Sequence, residues 1–193
     1  MTVSSTLWCR RLSALAALAA LLLGVAAALP ARADGIDVKR AALMAADDGH
    51  YLEADFEITL THTLEDALSK GVPLYFTLEF ELIRPRWYWF NEKISNARQQ
   101  YRLSYNALTR QYRVGVRTFY ENFATLAEAL EFMSRVRLSE VIAPGALGKG
   151  TNFTASLRMR LDTSQLPRPF QISAVGSREW SVGSDWYRWT ISP

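Results

Sequence analysis

The nine residues LYFTLEFEL, numbered 74–82, decide the fold class of this chain. Apolar side chains occupy every second position of the stretch: Leu74, Phe76, Leu78, Phe80 and Leu82. The positions between them include Thr77, Glu79 and Glu81. Because successive side chains of a strand point to opposite faces of the sheet, alternation of this length predicts a half-buried β-strand.

The same period of two recurs on both sides of this stretch. YLEADFEITL (51–60) alternates an apolar set with an acidic set: Leu52, Ala54, Phe56, Ile58 and Leu60 against Glu53, Asp55 and Glu57. YRLSY (101–105), YRVGVRT (112–118) and FTASLRMRL (153–161) carry Arg, Ser or Thr on their polar faces. Turn signals at Asp48-Gly49 and at 106–110 join strands through short connections, which favours antiparallel pairing.

Two short helices are predicted between the strands. Thr63 is the expected N-cap of a helix over 64–70 that stops at Gly71. Thr125 and Glu128 have the spacing of a capping box, which opens a second helix that runs to about Val136. Seven or eight strands and two helices predict a mainly β fold, an antiparallel β-sandwich that is immunoglobulin-like or similar. An open or closed barrel around a ligand is the alternative.

Residues 1–33 have the features of a cleaved secretory signal peptide. Arg10 and Arg11 precede an apolar run over 12–29, and an A-x-A site ends at Ala33. Retention of the run as a membrane anchor is the alternative. We therefore expect a periplasmic protein in which 34–193 forms a single β-rich domain.

Cleavage would remove the net charge of +3. Three arginines and no acid leave with the leader, so residues 34–193 carry equal numbers of acidic and basic residues. The high isoelectric point is therefore no evidence for a nucleic-acid partner. Acidic residues concentrate before Leu82 and basic residues after it, which predicts acidic and basic strands laid side by side. A dipolar surface for a charged partner is the alternative.

Few residues suit catalysis or metal binding. The single cysteine, Cys9, lies in the leader, and His50 and His62 are expected to be loop or surface residues. The carboxylates of the two acidic strands are best explained as the solvated face of a sheet, and PGALGKGT (144–151) lacks the spacing of a phosphate-binding loop. We expect no enzymatic activity, no cofactor and no metal.

Aromatic clusters mark the predicted binding surface. RPRWYWFNEKI (84–94) places four aromatic residues after two arginines, and a second cluster, REWSVGSDWYRW (178–189), follows near the end of the chain. Gly183-Ser184 is the expected turn of a terminal hairpin in which Trp180 and Trp186 face each other. Trp, Tyr and Arg are enriched at binding hot spots. The predicted binding residues are Arg84, Arg86, Trp87, Tyr88, Trp89, Phe90, Trp186 and Arg188.

The aromatic run 87–90 has two possible roles. Both faces of a strand here would be aromatic, so the segment either crosses between sheets or leaves one aromatic pair for a partner. Pro85 favours a bend or an edge strand, which could accept a partner strand. Burial of both clusters in the core of the sandwich is the alternative.

KGVPLYFTLEFELIRPRWYWFNEKI, YRLSYNALTRQYRV and the terminal DWYRW resemble the proteobacterial domain-of-unknown-function family 4390 over 34–193. The resemblance implies a periplasmic signalling partner, such as a membrane sensor kinase. Because the family is uncharacterised, the resemblance assigns no catalytic or binding residue. We expect a non-catalytic protein-interaction module that binds an envelope protein and no nucleic acid. Contact with the membrane surface is an additional option. The alternative is a periplasmic binder of a hydrophobic small molecule or lipid.

Overall fold

The computed structural model describes residues 35–46, 49–86, 88, 91–148 and 150–192. The predicted signal peptide and its cleavage site lie outside these residues. The described chain contains nine β-strands: β1 (Gly35–Ala46), β2 (Gly49–Thr59), β3 (Leu74–Arg84), β4 (Glu92–Asn106), β5 (Gln111–Val116), β6 (Phe119–Phe123), β7 (Arg135–Ile142), β8 (Phe153–Leu161) and β9 (Tyr187–Ile191).

The strands form two antiparallel sheets. The smaller sheet has the order β1-β2-β7, and the larger has the order β6-β5-β4-β3-β8-β9. The fold is thus the predicted mainly β, antiparallel sandwich. β1 and β2 pair up to Ala46 and Gly49, which confirms the first predicted hairpin, although Asp48 lies outside the described residues. The β4–β5 turn over 107–110 confirms the second.

The alternating residues of the two sheets build the core. Leu74, Phe76, Leu78, Phe80 and Leu82 of β3 are all fully buried. From the smaller sheet, Leu52 and Leu138 are buried, and from β8 Phe153 and Met159 are buried. A hydrogen bond from Ser95 Oγ on β4 to the Val141 carbonyl on β7 joins the two sheets. The remaining faces of the sheets carry most of the charged side chains.

The described residues contain three α-helices rather than the two predicted: α1 (His62–Ser69), α2 (Leu126–Ser134) and α3 (Arg168–Ala174). Short 3-10 segments lie at Thr163–Gln165 and Arg178–Trp180. The capping box of α2 forms as predicted, but the helix ends at Ser134 because the chain enters β7 at the next residue. No helix in the described part of the chain is long and apolar enough to cross a membrane.

The predicted cap of the first helix is wrong by two residues. Thr61, not Thr63, is the N-cap of α1, and its side chain accepts a hydrogen bond from the Leu64 amide. Thr63 lies inside the helix and donates to the Glu179 side chain at 2.7 Å. The helix therefore begins two residues, or about half a turn, earlier than its sequence pattern indicates.

The predicted terminal hairpin is also wrong. β9 pairs with β8, and Gly183 forms a single antiparallel bridge with Arg160 of β8. Trp180 is buried against Phe170, with ring centroids 5.6 Å apart, and so does not face Trp186 across a hairpin. The chain end extends the larger sheet instead of folding on itself.

Candidate functional site

Acidic and basic strands lie side by side, as the charge pattern predicts. On the smaller sheet, Asp55 of β2 stands opposite Arg40 of β1, and Glu53 stands opposite Arg137 of β7. Both carboxylates bind those partners, with 3.2 Å between Asp55 Oδ2 and Arg40 Nε. The larger sheet repeats the arrangement, because β3 is acidic and its neighbours β4 and β8 are basic.

Six arginines of the described strands of the larger sheet lie on its outer side, opposite the core. Each alternates with a core residue on its strand, so their side chains share that side of the sheet. We call this surface the arginine face: Arg98, Arg102, Arg113, Arg158, Arg160 and Arg188. Glu79 and Glu81 of β3 lie on the same side, and Glu81 pairs with Lys93 at 2.9 Å. Glu79 is therefore the carboxylate that the arginine face surrounds.

Glu79 organises the centre of the arginine face. It stands opposite Arg98 on one side and Arg158 on the other, and it binds them at 2.7 and 2.6 Å. Arg160 is a third cation at 3.5 Å. Burial raises the pKa of Glu79, but hydrogen bonds and charge from Arg158 and Arg160 outweigh burial and hold its pKa below the usual value. One ionised carboxylate thus fixes three guanidinium groups.

Aromatic rings support two of the arginines. The Arg158 guanidinium lies over the Trp186 ring, 4.3 Å from its centroid. The Arg102 guanidinium lies over the Tyr75 ring at 5.8 Å. Cation–π contacts of this kind orient a guanidinium without consuming its N–H donors. In the described part of the chain Arg102 and Arg188 have no acidic partner, so their donors remain available.

A cleft of about 340 Å³ opens on the arginine face. Tyr75 and Tyr120 line it together with Arg98, Arg102 and Arg117. Gly115 lies beneath Tyr120, and a β-carbon on Gly115 would come within 2.8 Å of the Tyr120 ring. The absence of a side chain at 115 lets that ring lie against the sheet. Three cations and two aromatic rings suit a carboxylate or other oxyanion.

The predicted aromatic segment is described only in part. It connects β3 to β4, which are neighbours in the interior of one sheet. Of the alternatives for this segment, a crossing between sheets and an edge strand are therefore wrong, whereas a bend at Pro85 agrees with the reversal of the chain between Arg84 and Glu92. Trp87, Trp89 and Phe90 lie outside the described residues, and Tyr88 is 65% exposed.

The two arginines of that segment bind a shared acid. Arg84 and Arg86 contact Glu92 at 3.2 and 2.5 Å, and the Arg84 guanidinium lies 5.3 Å from the centroid of the Phe153 ring. Arg84 lies five positions after Glu79 along β3, which corresponds to about 16 Å. Of the predicted binding residues, Trp186 and Arg188 lie on the arginine face, whereas Arg84, Arg86 and Tyr88 do not.

The two histidines occupy the starts of different elements. His50 is a half-buried residue of β2 and not a loop residue, and its Nδ1 atom is buried without a hydrogen-bond partner. His62 is the exposed first residue of α1. Among the described residues, no three His, Cys, Asp or Glu side chains lie close enough to hold a metal ion.

The sequence patterns place Arg102, Arg113 and the two arginines of β8 on polar faces but do not bring them together, and Arg98 lies outside those patterns. The signal for each strand is the alternation of Arg with apolar residues in 101–105, 112–118 and 153–161. Their common surface depends on the strand order β5-β4-β3-β8-β9, which no local pattern encodes.

Residues 33–190 match the family model described as Domain of unknown function (DUF4390). No curated protein and no solved structure matches the chain.

Proposed function

The chain belongs to the DUF4390 family, and we propose that it acts as a non-catalytic interaction module of the bacterial periplasm. Its binding surface is the arginine face, and its ligand is an acidic segment of an envelope protein. The sensor domain of a membrane kinase is the partner that the family resemblance suggests.

The observation that carries this proposal is the excess of guanidinium donors around Glu79. Each guanidinium has five N–H donors, and one carboxylate shared by Arg98, Arg158 and Arg160 leaves most of them unused. The donors stand on rigid neighbouring strands, so little entropy is lost when a partner orders them. The arrangement resembles a preformed receptor for carboxylates.

The chemistry of the face favours binding over turnover. Arginine stays protonated at any physiological pH and cannot serve as a general base. Glu79 has a lowered pKa and already accepts hydrogen bonds from its neighbours, so it is a poor proton acceptor. Trp186 and the two tyrosines of the cleft add apolar contact area without adding a nucleophile.

Two substitutions test the proposal without disturbing Glu79. Arg102→Ala and Arg188→Ala remove exposed cations that lack an acidic partner in the described part of the chain. Arg40→Ala is the matched control, because it removes the same charge from the outer side of the smaller sheet. The probe is a glutamate-rich peptide, and its glutamine-rich counterpart controls for charge.

Arg102→Ala and Arg188→Ala, the two variants of the arginine face, should each weaken binding of the glutamate-rich peptide by about 0.5–1 kcal/mol, as expected for exposed charge pairs. Binding should also weaken as salt is raised. Arg40→Ala should bind like the wild type. Equal losses in all three variants would show attraction by net charge alone and would contradict the proposal. Binding to phosphatidylglycerol vesicles without binding to the peptide would replace the protein partner by a membrane surface.

A further inference from the structure

β6 is an exposed edge of the larger sheet. It pairs with β5 on one side, and its five residues are exposed or half-buried, with Phe119 and Tyr120 exposed by 79% and 59%. Natural edge strands are protected by lysine, proline or a β-bulge, because unpaired backbone groups there can accept another strand. β6 contains neither residue, and its pairing with β5 is regular throughout.

Two of the other three edges have such protection. β1 has a register shift after Val38 and carries Lys39, and β7 pairs with β2 across a second register shift. β9 resembles β6 in having no lysine, proline or register shift, but its most exposed aromatic residue, Tyr187, is only 38% exposed. Among the described strands, β6 is therefore the unprotected edge that exposes the most aromatic surface to a partner strand.

The two sides of β6 differ in chemistry. Tyr120 and Asn122 point to the arginine face, where Arg113 Nε donates to Asn122 Oδ1 at 2.9 Å. Phe119, Glu121 and Phe123 point the other way. A strand added to β6 would thus have one side toward cations and the other toward aromatic rings.

The aromatic side continues into a cleft beside α2. Phe123 packs against Phe132 with ring centroids 5.3 Å apart, and these two rings line a cleft of about 400 Å³. Glu128, Glu131 and Arg135 also line it, with Arg135 paired to Glu131. Glu121 lies between Phe119 and Phe123 on the strand. An apolar side chain would fill this cleft, and a basic one would complement Glu121.

We propose that β6 accepts an antiparallel strand from the partner protein, with the side-chain pattern apolar-acidic-basic-acidic-apolar. This inference rests on the proposed function and deepens it, because it names the segment that is recognised. The acidic positions share the side of the sheet that carries Arg113 on β5, two strands or about 10 Å away, and Arg102 of the cleft on β4, three strands or about 14 Å away. The apolar positions face Phe119 and Phe123, and the basic position faces Glu121.

A second copy of this chain is a poor occupant of the edge. Antiparallel pairing of two β6 strands about their centres would place Glu121 opposite Glu121 of the second copy. Like charges directly opposite each other destabilise a strand pair. The charge pattern of β6 therefore favours a different chain.

The test compares two peptides of identical composition. One has the core Val-Glu-Lys-Glu-Val, and the other has Val-Val-Lys-Glu-Glu, in which acidic and apolar residues no longer alternate. Affinity is measured by fluorescence anisotropy, and hydrogen exchange of the amides of residues 119–123 is followed with and without peptide. We expect at least tenfold tighter binding of the alternating peptide and slower exchange in β6.

A charge swap at the exposed residue Glu121 tests the same pairing by a second measurement of peptide affinity. Glu121→Lys should weaken binding of Val-Glu-Lys-Glu-Val by up to about fivefold, and Val-Glu-Glu-Glu-Val should regain that loss, as expected for one cross-strand charge pair. Glu140→Lys, an exposed glutamate of β7, is the control and should change neither affinity.

The outcomes separate the two proposals. Equal affinity for Val-Glu-Lys-Glu-Val and Val-Val-Lys-Glu-Glu, or unchanged hydrogen exchange in β6, overturns strand addition. If Arg102→Ala still weakens binding of the glutamate-rich peptide in that case, the arginine face remains the binding surface. If that variant has no effect either, both proposals fail.

Discussion

Replacement of Glu79 by glutamine should destabilise the protein more than any other single charge removal on the larger sheet. Glu79→Gln keeps the shape of the side chain and removes its charge. It leaves Arg98, Arg158 and Arg160 close together without the carboxylate that holds them. The substitution therefore removes attraction and exposes repulsion among like charges.

The expected magnitude follows from the exposure of each partner. The Glu79 side chain is 9% exposed and that of Arg158 is 31% exposed, so this pair contributes about 1.5–2 kcal/mol, near the lower end for hydrogen bonds to charged groups. The side chains of Arg98 and Arg160 are 70% and 43% exposed, and screening reduces each of these pairs to about 0.5 kcal/mol. The free energy of unfolding should fall by about 2.5–3 kcal/mol in total.

The pH dependence gives this prediction a second check. The folded-state pKa of Glu79 is lowered from 4.5, so its contribution is present above that value and is lost as pH falls through the lower folded-state pKa. Urea unfolding of wild type and Glu79→Gln should thus differ at pH 7 and converge below pH 4.5 as pH is lowered.

Glu81→Gln is the matched control for this experiment. Glu81 is a glutamate of the same strand and binds Lys93 with side chains that are 40% and 50% exposed. Its loss should cost less than about 1 kcal/mol. If Glu79→Gln and Glu81→Gln had equal effects at pH 7, the central role assigned to Glu79 would be refuted.

Three further predictions concern local features. Thr61→Ala should cost about 1 kcal/mol of stability because it removes the N-cap of the first helix. Thr63→Ala should cost less. If urea unfolding gave the reverse order, Thr63 would be the cap. Burial raises the pKa of Tyr101 to about 12, so ultraviolet titration should detect one tyrosine that ionises late, and stability should fall as pH rises from 10 through 12. Tyr101→Phe should abolish that late step. Gly115→Ala should destabilise the wild type by about 1–2 kcal/mol, because the new β-carbon would contact the Tyr120 ring. The same substitution should have no such effect in a Tyr120→Ala background. Additive effects of the two substitutions would show that this contact does not cause the loss of stability.

The sequence predicts strands better than it predicts their assembly. The alternation in 74–82 and 153–161 identifies β3 and β8 because a half-buried strand repeats every two residues. The sequence does not indicate the third helix. Its segment RPFQISA (168–174) has a proline at the second position and buries none of its residues, so it lacks an apolar stripe. The terminal hairpin was wrong because β8, rather than the segment around Trp180, provides the partner of β9.

The candidate site was recognised only in part for the same reason. Trp186 and Arg188 were predicted from composition, and they lie on the arginine face. Arg158 belongs to a predicted strand, whereas Arg98 lies outside the predicted alternating stretches, and the two meet only because β3 lies between β4 and β8. A binding surface that spans several strands depends on long-range pairing, which a single sequence does not reveal.

The position of β3 also bears on how the chain folds. Its partner β4 follows directly in sequence, whereas its partner β8 brings Arg158 to Glu79 across 79 positions. A meander of β3 to β6 can therefore form early from short loops, with one flank of β3 still unpaired. Closing so long a loop is entropically slow, and folds dominated by such contacts take milliseconds to seconds. Until β8 arrives, the newly made chain has an acidic, aggregation-resistant flank on β3, where the charge of Glu79 and Glu81 discourages pairing with the wrong strand.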